Sequence, residues 1–168
     1  MSENITIRLA VVDDAPIIVH HRHAMFADMG LGNPACLDAV DVMFTPYVAR
    51  ALSDGTYRGW LAQTDDGRVV AGGGLIMHEW PASPRDPQPR RAYILNMYTE
   101  PEYRRRGIAR RILQAILDHC RAEGFGLVSL HASARGRPLY KSLGFEPTNE
   151  MRLRLCNAAS FAYPEDRW

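Results

Sequence analysis

The stretch EPEYRRRGIARRILQAILDHC, Glu100 to Cys120, constrains the fold most. Ile108, Ile112, Ile116 and Cys120 recur every four residues, with Leu113 and Leu117 beside them. That spacing draws one apolar stripe along a helix, which Gly124 ends. A one-sided helix must bury its stripe against a layer. The neighbouring segments supply one: RAYILNMYT (Arg91–Thr99) reads as a strand buried on both faces, and FGLVSLHAS (Phe125–Ser133) as another.

Arg104, Arg105 and Arg106 stand just before Gly107, where this helix begins. A helix N-terminus carries roughly half a positive charge, and each cation beside it costs about 0.3–1 kcal/mol. Conflicts of this kind concentrate at functional sites. An anion on the free amides of the first turn would reverse the sign of the cost. Gly107 lets backbone approach such a ligand, and Ala109 keeps the next position small. The stretch therefore predicts a phosphate cradle. It is no Walker loop, for it lacks Gly-Lys-Ser/Thr, and a lone glycine makes no dinucleotide fingerprint.

The rest of the chain alternates strand and helix patterns. Asn4–Ala10 alternates as a first strand. Asp13 or Asp14 can cap a helix running to about Met29, with Pro16 in its first turn. Asn33-Pro34 opens a second helix that ends near Asp54-Gly55. Tyr57–Gln63, Thr64–Arg68 and Val69–Trp80 read as strand, turn, strand. Four prolines make Pro81–Pro89 a loop. Gly72-Gly73-Gly74, inside a strand, predicts close backbone packing or a bulge. Ala134–Leu143 reads as a short helix stopped by Gly144, and Met151–Cys156 as a last strand. The expected order is β-α-α-β-β-β-α-β-α-β, a mixed α/β (α+β) sheet with helices on both faces. One domain over residues 1–156 is expected, with residues 157–168 as its tail.

Charge matters only locally, because 168 residues carry a net +1. That balance gives no overall pull towards nucleic acid or membrane. Cys36, Cys120 and Cys156 follow no metal or redox spacing and read as reduced thiols. No stretch resembles a signal peptide or membrane span, so a cytoplasmic protein is expected. His20 and His23 lie one helical turn apart without an evident third ligand, and HEWPA lacks the second histidine of a zinc motif. No metal is expected.

Two motifs carry a family resemblance. Arg104-x-x-Gly107-x-Ala109 resembles the Q/R-x-x-G-x-G/A signature of the GNAT (GCN5-related) N-acetyltransferases, and GRPLYKSLGF (Gly136–Phe145) resembles their L-Y-x-x-x-G-F element. The order of elements matches along nearly the whole chain. The resemblance implies a mostly antiparallel sheet splayed between strands four and five. It implies that Arg104, Arg105, Arg106, Gly107, Ile108, Ala109 and Arg110 hold the pyrophosphate of acetyl-CoA. Met97, Tyr98 and Thr99 would pair through their backbone with pantetheine and polarise the thioester carbonyl, as an oxyanion site does. Tyr140 matches the tyrosine that donates to the departing thiolate. A phenol of pKa ~10 stays protonated beside a thiol of pKa ~8.5. Ser133 replaces an asparagine that often contacts the coenzyme.

The general base is open in the sequence. An acceptor amine is about 0.1% neutral at pH 7 and must lose a proton. The family's glutamate position falls on Tyr93. Glu79 is taken as the catalytic candidate, with His78, Glu100, His131 or a water relay as alternatives. The implied reaction moves an acetyl group from acetyl-CoA directly to an amine of a small molecule or peptide. A non-catalytic acyl-CoA-binding module, another acyl group, a hydroxyl acceptor and RNA binding through the arginines are the rivals. The acceptor is expected to enter between Ala27–Pro34 and Pro81–Pro89, where Asp28, Glu79 and Asp86 would favour a small cationic amine. The protein is expected to be a monomer or homodimer.

Overall fold

The structure, a computed structural model, describes residues 4–153 and 155. Alternation places β1 (Ile5–Leu9) antiparallel to β2 (Tyr57–Thr64), with Ile5 opposite Thr64 and Leu9 opposite Trp60. A turn through Gly67, at a φ of 89°, returns the chain into β3 (Val69–Glu79), which pairs antiparallel with β2 and with β4 (Arg90–Thr99). β5 (Val128–Leu130) joins β4 in parallel, so the order is β1-β2-β3-β4-β5. The sheet is mixed and mostly antiparallel, as expected.

α1 (Ala15–Asp28) and α2 (Pro34–Asp54) cover one face. Asn33 caps α2 by accepting from the Cys36 amide at 2.9 Å, and Gly55 closes it in the left-handed conformation at a φ of 79°. Asp14 does not cap α1. Its carboxylate accepts from the Val11 amide at 2.8 Å and pairs with Arg8, closing a short turn ahead of the helix. α3 (Ile108–Ala122) covers the other face. Its buried residues are Ile108, Ile112, Leu113, Ile116, Leu117 and Cys120, the stripe read from the sequence. Burying each large side chain contributes about 1.5–3 kcal/mol.

Two apolar clusters result, one on each face. Ile94, Ile112, Leu113 and Ile116 centre the first; Ile18, Phe44, Val48, Tyr57 and Leu61 centre the second. The three glycines of β3 make this close layering possible. A side chain at Gly74 would strike Tyr57, one at Gly73 would strike Met97, and one at Gly72 would lie 2.9 Å from His21.

Two expected strands differ. β5 covers three residues rather than Phe125–Ser133. Residues 151–153 and 155 form no strand, and Met151, Leu153 and Leu155 are exposed. Alternation marks which side of a strand would be buried but supplies no partner, and a strand needs a neighbour's hydrogen bonds. Arg154, Cys156 and the tail of residues 157–168 lie outside the described residues. No described helix is long and apolar enough to cross a membrane.

Candidate active site

The site begins with an extra residue in β4. Gly72 faces Tyr98 and Gly74 faces Leu95, so three steps along β4 answer two along β3. Asn96 takes up the bulge at a φ of 55°, the left-handed region that asparagine tolerates better than most residues. Leu95 and Asn96 consequently both turn towards α1 and α2, while Met97 turns to the α3 cluster. β5 pairs with β4 only from Ala92 to Ile94. Beyond Ile94 the strands part, leaving the β5 side of Met97, Tyr98 and Thr99 uncovered by β5. This is the expected splay.

At the end of the gap the chain makes a short turn at Pro101–Tyr103, anchored by buried Tyr103, and enters the arginine loop. Arg105 has a φ of 63° and Gly107 a φ of 75°. Arg104 before them is extended, and the two left-handed residues turn the loop sharply ahead of α3, a geometry in which successive amides can form a concave anion nest. The first backbone bond of α3 runs from the Arg111 amide to the Gly107 carbonyl at 3.2 Å. Among the described residues, the amides of Arg105, Gly107, Ile108, Ala109 and Arg110 have no backbone acceptor. A Cβ built on Gly107 would meet nothing within 4 Å, so the loop is open at the start of α3.

Tyr140, in α4 (Arg137–Lys141), is buried in the same cluster as Ile108. Its ring meets Phe145 edge-on at 5.8 Å. Burial pushes its phenol up to about 12, so it remains a protonated donor. Gly136 allows its approach, because a Cβ there would sit 2.9 Å from the Tyr140 ring and 3.3 Å from Ser133 Oγ. Ser133 starts α4: its hydroxyl accepts from the Gly136 amide at 3.1 Å, and its carbonyl accepts from Arg137.

A family model for the GNAT acetyltransferases matches residues 31–145. The chain belongs to the GNAT acetyltransferase family. A GCN5-related N-acetyltransferase from Ralstonia eutropha JMP134 is 35% identical with a TM-score of 0.85, over 90% of this chain and 99% of that one. A predicted acetyltransferase from Clostridium acetobutylicum, solved with acetyl-CoA, is 26% identical with a TM-score of 0.83, over 95% and 100%. The aminoglycoside N-acetyltransferase AAC(6')-Iy, solved with CoA, shares the fold at 15% identity and a TM-score of 0.69, over 93% and 98%. No curated protein matches the chain.

In this GNAT chain the three arginines do not act alike. Arg104 turns away from the nest: its Nε donates to the Thr99 carbonyl at 2.8 Å, and its Nη2 pairs with the Asp28 carboxylate. It thereby ties β4 to the end of α1. Arg106 lies 4.8 Å over the Tyr103 ring, and Arg105 is exposed. Further along, Arg110 donates to Ser142 Oγ at 2.6 Å and Arg111 to the Ile5 carbonyl at 2.7 Å.

Glu79 is not brought to this GNAT site. It is exposed and pairs in register with Arg90, seven residues before Met97, which at 3.3 Å per residue is about 23 Å along the strand. The acidic mouth does not gather either. Asp28 is engaged by Arg104, Glu79 lies opposite Arg90, and Asp86 accepts from the Gln88 amide of its own loop. His131 does reach β4: its Nδ1 is hydrogen-bonded to the Tyr93 hydroxyl. His20 pairs with Glu100 at 3.2 Å rather than with His23. His23, Asp38 and Asp41 place ligand atoms within 4.8 Å of one another, but His23 Nδ1 is hydrogen-bonded to Asp41 at 2.6 Å.

Sequence reasoning missed one group. The Asn96 amide donates to Tyr57 Oη at 3.2 Å, and its carbonyl oxygen accepts from Arg22 Nη1 at 2.6 Å. Asn96 and Tyr57 are buried, and desolvation pushes the Tyr57 phenol up to about 12. A lone asparagine inside the apolar run RAYILNMYT was the available signal.

Proposed function

We propose that the protein is an N-acetyltransferase that moves an acetyl group from acetyl-CoA directly to an amine of a small molecule. The observation that carries this reading is the left-handed loop at Arg105 and Gly107, with open space beside Gly107, at the end of the β4–β5 gap. A pyrophosphate fits there because backbone N–H groups and the helix dipole favour negative charge, with Arg105 and Arg106 at its edge. Arg104 contributes by fixing the loop through Thr99 and Asp28 rather than by touching phosphate.

Acetyl-CoA supplies an activated acyl group as a thioester. The backbone of Met97, Tyr98 and Thr99 lines the gap and aligns that group, and fixed amide dipoles there favour the charge that develops on its carbonyl. Tyr140 donates a proton to the leaving sulfur; its raised pKa keeps that proton in place at neutral pH. Ser133 keeps Gly136 and Tyr140 in position and offers one hydroxyl towards the coenzyme. His131 is engaged at both ring nitrogens, by the Tyr93 hydroxyl and by Arg152, so a water relay takes the amine proton in place of the distant Glu79. The Clostridium relative, solved with acetyl-CoA, supports the choice of cosubstrate.

Release of coenzyme A from acetyl-CoA, followed with a thiol reagent across a panel of amines, tests the reading. Amine-dependent release with N-acetylated product is expected. Tight coenzyme binding without turnover on any amine would instead favour a binding module.

A further inference from the structure

The bulge in β4 is held by a side chain that comes from two strands away. Tyr57 opens β2, where it pairs with Ile76 of β3, and it is buried. Its phenol crosses β3 over Gly74, where any side chain would strike the ring and its hydroxyl. On the far side Tyr57 Oη accepts from Asn96 Nδ2 at 3.2 Å. The other end of the Asn96 amide, Oδ1, accepts from Arg22 Nη1 at 2.6 Å. A guanidinium can only donate, so the amide has one orientation, and its NH2 group must face the tyrosine. Burial pushes the Tyr57 phenol up to about 12, so the partner is a neutral hydroxyl whose bond to Asn96 is directional.

These contacts hold an unfavourable conformation in place. Asn96 stands at a φ of 55°, and a residue other than glycine keeps such a backbone only where its surroundings over-determine it. Losing the bulge would shift the register by one residue and turn Met97, Tyr98 and Thr99 to the opposite faces. Met97 would then leave the α3 cluster, where it packs against Gly73. Resting on the acetyl-transfer reading, we infer that Tyr57 is a positioning residue for that reaction: through Asn96 it holds the peptide group between Asn96 and Met97 in the orientation that meets the thioester carbonyl. A dipole stabilises developing charge most when it is oriented beforehand and need not reorganise. A misplacement of about 1 Å can lower a rate ~10²-fold. Coenzyme affinity is set elsewhere, at the loop around Gly107, so it should not depend on this contact. Loss of the Tyr57 hydroxyl should therefore separate rate from binding.

Infrared difference spectra of bound acetyl-CoA, isotope-labelled at its carbonyl carbon, read the thioester directly and need no acceptor. In the wild type the carbonyl band should move to lower frequency on binding, and Tyr57→Phe should abolish most of that shift. Coenzyme A release is followed with a thiol reagent and the panel amine most active on the wild type. In Tyr57→Phe kcat should fall ~10- to 100-fold while KM for acetyl-CoA changes less than ~2-fold. Thermal protection by coenzyme A should persist. Val48→Ala separates positioning from stability, because it hollows the same apolar cluster without touching these hydrogen bonds. It should lower Tm yet keep the wild-type band and kcat. Should Tyr57→Phe fail to fold, Asn96→Gly carries the same test: glycine takes the left-handed backbone without strain but drops both contacts, so the shift should again be lost. A wild-type band in the variant tested, an equal loss of shift in Val48→Ala, or loss of coenzyme protection together with the shift would overturn the inference while leaving acetyl transfer intact. An unshifted band in the wild type with acetyl-CoA bound would overturn it as well. Absence of coenzyme protection in the wild type would instead overturn the acetyl-CoA reading on which it rests.

Discussion

The two faces of the sheet present different kinds of group. On the α3 face the groups proposed for the coenzyme are backbone: the loop around Gly107 and the strand edge of Met97 to Thr99. On the α1–α2 face the groups brought together are side chains: Arg22, Asn96, Phe44 and Tyr47. A backbone site requires glycines and small residues at set intervals, and many neighbours serve equally well. A side-chain site depends on which residues several distant segments bring together. The first kind writes a motif into the sequence and the second does not.

If this contrast holds, changes at Gly107 and at Asn96 should affect different steps. The largest effect is expected for Gly107→Glu. A side chain at a φ of 75° is strained, and a carboxylate would occupy the open space before the amides and repel pyrophosphate. Thermal protection by coenzyme A should vanish, while the free protein stays folded. A folded variant that binds like wild type would remove the nest from the mechanism.

Tyr140→Phe comes next. It keeps the ring against Phe145 and removes the donor, so turnover should fall roughly 10- to 1000-fold with little change in KM for acetyl-CoA. Unchanged turnover under conditions where chemistry limits the rate would exclude Tyr140 as the acid.

Asn96→Ala should strike the other face. It leaves Tyr57 and Arg22 without their shared partner and forces alanine into the left-handed region, a loss of about 2–4 kcal/mol in urea unfolding. Coenzyme affinity should fall far less than acceptor turnover, and equal losses of both would break the proposed division.

The α1 face should also be the acid-sensitive one. His21 is 1% exposed, and its pKa is lowered from 6.5 to about 4, first by burial and then by the charge of His20. The unfolded chain therefore binds a proton that the folded one refuses, and stability rises with pH across this window. Its contribution is complete above about pH 6.5 and is lost as pH falls towards 4, up to about 3 kcal/mol. His21→Asn should flatten stability between those values; an unchanged pH profile would show that another group controls it.

The smallest effect is expected for Arg105→Gly. Glycine relieves a φ of 63° but adds freedom to the unfolded chain, so the two terms of about 0.5–1 kcal/mol nearly cancel. The amide remains, so coenzyme affinity should drop by less than about fivefold, the share of one exposed charge. A drop of a hundredfold would show that side chains, not amides, hold the anion.

Much of the α3 half was legible. The four-residue apolar repeat specified α3, Gly107 marked its entry, and L-Y-x-x-x-G-F marked Tyr140. These signals are local, because a helix period or a left-handed turn is decided within a few residues. The arginine conflict drew attention to the loop before α3, and Arg104 relieves part of it through Asp28, 76 residues away in sequence. Glu79 misled for a related reason: a strand end looks near a site until register places it opposite Arg90.

By itself, then, the sequence determined the order of elements as far as α4, which faces are buried and where the loop before α3 turns, all consequences of short-range periodicity and backbone conformation. Only the tertiary structure decided the bulge at Asn96, the parting of β4 from β5 after Ile94, and the pairing of Arg22 with Asn96 across 74 residues. Those features arise when a strand accommodates neighbours on both sides and a helix packs across it, and no local pattern records which partners will meet.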